Sequence, residues 1–226
     1  MAYQIFKSIS RVQGVLFDMD GVILDSEALY TRFWQEAAVS LGYPMTHAQA
    51  IGMRALNRDA ATAQLESYFG PGVDYIQMRA RRIELMDAYV GGSGIPPKPG
   101  IYALLDALEH AHIPAAICTA SPIERVKQYL EPLGLFHRFA AIVTSYDVKK
   151  GKPAPDIYLK GASVLGLPSE RCMALEDSKA GLLSACRAGC MTVMVPDQDR
   201  PDAEDLGRIH ALCDCLTDVI DLIALG

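Results

Sequence analysis

The spacing of apolar residues changes character twice along this chain. Residues 12–18 (VQGVLFD) form a nearly continuous apolar run that ends on an acid, the pattern of a buried parallel strand. Between residues 26 and 90 the spacing is helical throughout. EALYTRFWQEAAVSL sets Leu29, Phe33, Trp34, Ala37 and Leu41 at helical intervals, and Gly42 can close that helix in the left-handed conformation. NRDAATAQLESYF and DYIQMRARRIELMDAYV continue in kind, with Pro71 and Gly72 between them. GGSGIPPKPG, residues 91–100, is rich in Gly and Pro and reads as a linker.

From Gly100 onward strand and helix patterns alternate. Strands are predicted at 113–119, 140–145, 172–176 and 191–195, separated by helices around IYALLDALEHA, IERVKQYL, DIYLKGASVLG and SKAGLLSACRAG, with a closing helix near the carboxyl end. Such alternation predicts an α/β fold, a Rossmann-like parallel sheet covered by helices on both faces. The strand at 12–18 needs partners that the helical block cannot offer. The expected organisation is therefore a discontinuous core, residues 1–24 with 98–226, interrupted by an all-helical cap domain at 25–97.

Half of the 226 residues are apolar, ample for a packed core and too many for a disordered chain. The net charge of −6 argues against a nucleic-acid partner, which needs a basic surface. No apolar run approaches the roughly 18 residues of a membrane span, and the first residues lack a signal peptide's apolar stretch. The six cysteines contain no C-x-x-C pair and read as buried free thiols of a cytoplasmic protein. The soluble, modestly charged surface permits a monomer or a weak dimer.

In a doubly wound sheet, ligands bind at the carboxyl ends of the strands. Those ends carry Asp18 and Asp20 (DMDGVILDSE), Thr119 (ICTAS), Lys152 shortly beyond its strand (KGKPAPDIY), and Glu176 with Asp177 (ALEDSKAG). Four carboxylates, an amine and a hydroxyl on one edge would be costly without a cation and an anionic ligand to balance them. The i, i+2 spacing turns Asp18 and Asp20 to the same side if the backbone stays extended, and Gly21 permits the tight turn that follows.

These four strings, in this order and each after an apolar strand, resemble the haloacid dehalogenase superfamily. They are closest to its Mg²⁺-dependent phosphatases and β-phosphoglucomutases with a helical cap after the first strand. The resemblance covers essentially the whole chain. It implies a phosphatase acting on a small phosphorylated metabolite, a sugar phosphate by expectation, through an aspartyl-phosphate. Asp18 would be the nucleophile, and Asp20 would protonate the leaving alcohol and then deprotonate water. Thr119 and Ser121 would hold phosphoryl oxygens, although Ser121 before Pro122 is also an ordinary helix N-cap. Lys152 would supply a fixed cation. Asp18, Asp177 and the main-chain carbonyl of Asp20 would bind Mg²⁺, with Glu176 a further ligand or the partner behind one.

Asp25 is expected to tie down the hinge. In the cap, the loop AIGMRALN offers Gly52, Arg54 and Asn57 as specificity candidates. Arg79, Arg81 and Arg82 read as a polar helix face. Phe33, Trp34 and Met78 read as core.

Other branches of the resemblance fit less well. Dehalogenases lack the second aspartate, and phosphonate-cleaving relatives need a cap lysine, whereas no Lys occurs between Lys7 and Lys98. β-Phosphoglucomutases carry a His on the first cap helix where Tyr30 stands here, so net hydrolysis is expected and mutase activity is the alternative. A catalytically silent binding module would be expected to have lost one of Asp18, Asp20, Lys152 or Asp177.

Overall fold

Four strands buried at every residue form the centre of the sheet: β2 (Gly14–Phe17), β3 (Ala115–Thr119), β5 (Cys172–Glu176) and β6 (Met191–Met194). The computed structural model describes residues 3–53, 56, 58–198 and 200–225. β4 (Ala141–Thr144), β1 (Tyr3–Ile5) and β7 (Ala211–Cys213) complete seven strands in the order β1-β7-β6-β5-β2-β3-β4. Every neighbouring pair is parallel except β1 with β7. Runs such as CMALE and AAICT alternate with nothing because both of their faces are covered.

The expected α/β class holds, with two strands added at one edge. β1 and β7 have three residues each, too short for a period to register, and β1 is largely exposed. The predicted strand at 12–18 is also longer than β2, since Val12 and Gln13 lead in by a single bond from the Gln13 amide to the Arg171 carbonyl.

Helix α5 (Ile101–His110) buries Ile101, Leu104, Leu105 and Leu108, and α10 (Leu216–Ala224) packs against it. α7 (Asp156–Val164) and α8 (Lys179–Arg187) close a second cluster with Leu16, Val143, Ile157, Tyr158 and Ala174. Cys118, Cys172 and Cys190 belong to that cluster, and all six cysteines are unpaired. Burial pushes the Cys172 thiol up to about 11, so it is a packing group, not a nucleophile. α6 (Ile123–Leu130) and α9 (Ala203–Arg208) complete this unit, which comprises Met1–Asp25 and Pro96–Gly226.

The second unit, Ser26–Ile95, has its own core of Trp34, Ala37, Met45, Ala50, Leu65 and Met78. Among the described residues it is helical: α1 (Glu27–Ser40), α2 (His47–Ile51), α3 (Arg58–Phe69) and α4 (Tyr75–Ser93). Gly42, with φ at 86°, ends α1 as its position suggested. Thr46 and Gln49 cap α2 reciprocally, and Asp74 accepts the Gln77 amide at 3.0 Å to start α4.

Two expectations for this region need correction. Residues 91–93 are helical instead of linker: Gly91 and Gly92 carry φ values a helix allows, and the chain turns only at Gly94 (φ 70°). The arginines of α4 do not share one solvated face either, because Arg82 is buried while Arg79 is exposed. A sequence run of three cations hides the 100° step between successive helical residues.

Candidate active site

Asp18 follows β2 directly, and its amide donates to the Leu175 carbonyl at 3.0 Å, carrying the β2–β5 pairing one residue further. β2 lies between β3 and β5, so Thr119 and Glu176 flank Asp18 from the two neighbouring strand ends. After Asp18 the chain turns sharply, with the Ile23 amide on the Met19 carbonyl at 2.9 Å and the Gly21 amide on the Leu24 carbonyl at 2.9 Å. Gly21 adopts φ 84°, and the Asp177 carboxylate occupies the space a Cβ there would need. Glycine is thus required twice over, for the turn and for Asp177.

Lys152 reaches this edge from the loop between β4 and α7. Its ammonium donates at 2.6 Å to Asp18 Oδ1 and at 2.6 Å to Glu176 Oε1. Glu176 is fully buried, and its other contacts are also donors. The Tyr158 hydroxyl bonds Oε1 at 2.5 Å, and the Ser178 hydroxyl bonds Oε2 at 3.1 Å. Ser178 in turn caps α8 by accepting the Gly181 amide at 3.2 Å. The Glu176 carboxylate rests where a Gly181 Cβ would lie. Gly181→Ala should therefore push Glu176 off Lys152, lowering turnover about tenfold or more and stability by about 2 kcal/mol. Initial rates and thermal unfolding measure the two effects; an unchanged rate would show that Glu176 does not hold Lys152.

Opposite them, Thr119 ends β3 almost without exposure, and its Oγ1 accepts the Ser121 amide at 3.1 Å. The Ser121 hydroxyl donates to Asp20 Oδ2 at 3.1 Å. Ser121 does not cap α6: Pro122 stands at the N-cap position and no side-chain cap bond forms. The hydroxyl that looked like a helix cap is instead tied to a carboxylate.

Charge is unevenly compensated here. Burial is the largest influence on Asp18 and pushes its carboxyl up to about 8; Lys152 pulls it down, while Glu176 and Asp20 push it further up. Burial also works against the Lys152 ammonium, but Asp18 and Glu176 outweigh it and raise its pKa, so the lysine stays charged. The buried Tyr158 phenol is likewise raised and remains a donor. Oxygens of Asp18, Glu176 and Asp177 lie within 4.8 Å of one another. An all-oxygen donor set with surplus negative charge fits a small hard cation, since neither imidazole nor thiolate is present.

Asp18, Asp20, Thr119, Ser121, Lys152, Glu176 and Asp177 thus converge on one sheet edge. Gly52, from the second unit, ends α2, and a Cβ there would overlap the Tyr68 hydroxyl. Close helix packing is reason enough for that glycine. Arg54 and Asn57 lie outside the described residues. Asp25 sits at the unit boundary, its amide on the Pro96 carbonyl at 2.9 Å and its carboxylate 3.9 Å from Lys98. Tyr158 was not foreseen. It stands in the apolar stripe of α7 and reads as core; only the register of α7 on β5 reveals its partner.

Comparison with known proteins bears on this geometry. Residues 12–189 match the model of the haloacid dehalogenase-like hydrolases. The chain belongs to that family. Hexitol phosphatase A of Escherichia coli (strain K12) is 35% identical over 207 residues, 89% of this chain and 92% of that protein. The phosphorylated carbohydrates phosphatase of Thermotoga maritima is 30% identical over 181 residues, 79% of this chain and 82% of its own length. A haloacid dehalogenase-family hydrolase of Deinococcus radiodurans R1, solved with bound phosphate and sodium, superimposes with a TM-score of 0.77. It is 26% identical and covers 95% of this chain and 98% of that one. Within the family the chain falls in the phosphatase and β-phosphoglucomutase group, whose helical insertion follows the first parallel strand. It is a phosphoric monoester hydrolase. Among the described residues no helix is long and apolar enough to cross a membrane.

Proposed function

We propose that this haloacid dehalogenase-like hydrolase removes the phosphoryl group of a small sugar phosphate by way of an aspartyl-phosphate at Asp18. The observation that carries this reading is the Lys152 ammonium, 2.6 Å from Asp18 Oδ1 and buried at the strand edge. It leaves one carboxylate oxygen of Asp18 for attack and sets a fixed positive charge where phosphoryl oxygens would gather. Relatives named as hexitol and phosphorylated-carbohydrate phosphatases support the substrate class.

In the first step an Asp18 oxygen bonds to phosphorus and the ester P–O bond breaks. The Asp20 carboxyl gives its proton to the departing alkoxide. In the second, the Asp20 carboxylate takes a proton from water as that water attacks phosphorus. The bond to Asp18 then breaks and inorganic phosphate leaves. The Ser121 bond to Asp20 keeps that carboxyl aimed, and Thr119 with the amides that follow it holds the non-reacting oxygens. Glu176, satisfied by Tyr158 and Ser178, positions Lys152. Mg²⁺ would be held by Asp18, Asp177 and the main-chain carbonyl of Asp20, with Glu176 beside it, and would screen the charge between carboxylates and phosphate. Six unpaired cysteines support a reducing cytosol as the compartment, and we read the chain as a monomer or weak dimer.

The deciding experiment incubates the protein with β-glucose 1-phosphate, Mg²⁺ and a trace of the 1,6-bisphosphate. Free phosphate should appear in step with substrate loss across a panel of sugar phosphates. Conversion to glucose 6-phosphate without phosphate release would replace hydrolysis by the mutase reading, which the Tyr30 of α1 argues against. EDTA should remove the activity in either case.

The raised Asp18 carboxyl also has a consequence for the metal-free protein. Its folded pKa of about 8 lies above the ordinary 3.8, so between those values the native state keeps a proton that the unfolded chain releases. Stability from this group therefore falls as pH rises from about 4 to about 8. The half-buried His210, whose pKa burial lowers, acts in the opposite sense below pH 6.5. Comparison with Asp18→Asn isolates the carboxyl. In EDTA, the melting temperature of the variant should climb relative to wild type between pH 5 and pH 8, and Mg²⁺ should narrow the gap. A difference independent of pH would rule out the buried, charge-crowded Asp18.

A further inference from the structure

The loop that carries Lys152 lies at the surface, with Gly151 and Pro153 exposed, yet the ammonium it delivers sits 2.6 Å from each of two carboxylates. A lysine side chain is long and flexible, so its ammonium is only as well placed as the main chain beneath it. The turn itself is closed by the Ala154 amide on the Gly151 carbonyl at 3.0 Å. The two main-chain carbonyls that follow Lys152 are held from outside the loop, both by α8. The Ser184 hydroxyl donates to the Ala154 carbonyl at 2.5 Å, and the Arg187 guanidinium donates to the Pro153 carbonyl at 3.0 Å.

Neither bond serves α8 itself. A serine inside a helix ordinarily turns its hydroxyl to solvent or to a carbonyl one turn back. Ser184 is fully buried and directs its donor to another segment, at a position where Ala would be the better helix former. Gly181, Ser184 and Arg187 recur at every third residue, so they follow one another along one side of α8. Gly181 makes room for the Glu176 carboxylate, while Ser184 and Arg187 hold the chain just past Lys152. One side of one helix thus sets both members of the Lys152–Glu176 pair.

We propose that Ser184 and Arg187 are positioning residues, which clamp this main chain so that the Lys152 ammonium keeps its place between Asp18 and Glu176. The proposal rests on the phosphatase reading above, in which that ammonium stabilises the transferring phosphoryl group. Ser184 carries the larger share, because its bond is short and buried, whereas Arg187 is an exposed side chain on an exposed residue.

The test is a double-mutant cycle on the full-length protein with p-nitrophenyl phosphate and Mg²⁺. Ser184→Ala should lower kcat/KM about tenfold and Arg187→Met about threefold, since misplacing a catalytic group by about 1 Å can cost more than either. In a Lys152→Met background no ammonium is left to position, so neither change should cost more than about twofold there. Arg187→Lys, which can still donate to the Pro153 carbonyl, should recover most of the wild-type rate. Thermal unfolding of each variant separates this from a structural role: bonds that only support the fold would lower the melting temperature and leave the rate per folded molecule unchanged. Arg187 is exposed, so its variants keep the test valid if Ser184→Ala does not fold. The proposal is overturned if Ser184→Ala and Arg187→Met turn over as wild type does, or if their losses are undiminished in the Lys152→Met background. Wild-type protein without turnover would overturn the phosphatase reading and this proposal together, whereas wild-type turnover with additive losses overturns this proposal alone.

Discussion

Asp18→Asn is expected to abolish turnover, by about 10⁴-fold, while the protein stays folded. The change is nearly isosteric, and it removes the reacting group and not its surroundings. An amide oxygen is a poor nucleophile, and without the covalent step water would have to attack the ester directly at a site built to exclude that path. The fold should tolerate the change well. Asp18 is buried beside Glu176, Asp20 and Asp177, whose carboxylates oppose its charge while Lys152 favours it. In the variant Lys152 keeps its 2.6 Å bond to Glu176, and the amide oxygen can still accept from it. The measurement is phosphate release from p-nitrophenyl phosphate by protein free of contaminating phosphatase, with circular dichroism as the folding control. Retention of more than a few per cent of wild-type turnover in folded protein would exclude a covalent intermediate at Asp18.

The residues of that prediction were legible because of where strands end. VLFD, ICT and ALED are continuous apolar runs that stop on a reactive group, and parallel order brings such ends to one edge whatever lies between them in the chain. Neither β1 nor β7 was needed for this, which is why overlooking two three-residue strands left the site intact. What could not be read is the layer behind it. Tyr158 sits in a helical stripe with Ile157, Gly161 and Ala162, and nothing in that spacing distinguishes a core tyrosine from one that holds Glu176. Gly181 shows the same limit, since its reason is a carboxylate from the end of another element. Arg82 shows it from the other side. Its burial depends on two rings of α1, and local charge pattern alone makes it look solvated. First contacts at strand ends follow from topology, whereas the partners of those contacts follow from register, which one-dimensional pattern does not carry.

Lys152→Met should cost about 10³-fold in turnover, a little over 4 kcal/mol of transition-state stabilisation. The substitution keeps length and apolar contact but removes the one side-chain cation found at the cluster of Asp18, Glu176 and Asp177 among the described residues. Those carboxylates must then meet an incoming phosphate unscreened on that side, and the fully buried Glu176 loses its ionic partner. Breaking a buried pair in this way typically costs about 3–5 kcal/mol of stability. The loss should be partial here, because Tyr158 and Ser178 still donate to Glu176 and Asp18 can take up a proton. Lys152→Arg should not rescue activity: a planar fork is wider than an ammonium and cannot occupy a point 2.6 Å from both carboxylates. Glu176→Gln supplies the contrast. Its amide oxygen can accept from Lys152 and Tyr158 while the Lys152–Asp18 bond persists, so turnover should fall about tenfold, far less than in Lys152→Met. Steady-state kinetics of the three variants beside thermal unfolding give the comparison. If Glu176→Gln were the more damaging change, the carboxylate itself would be acting on the substrate or the metal, and its role as the support of Lys152 would have to be abandoned.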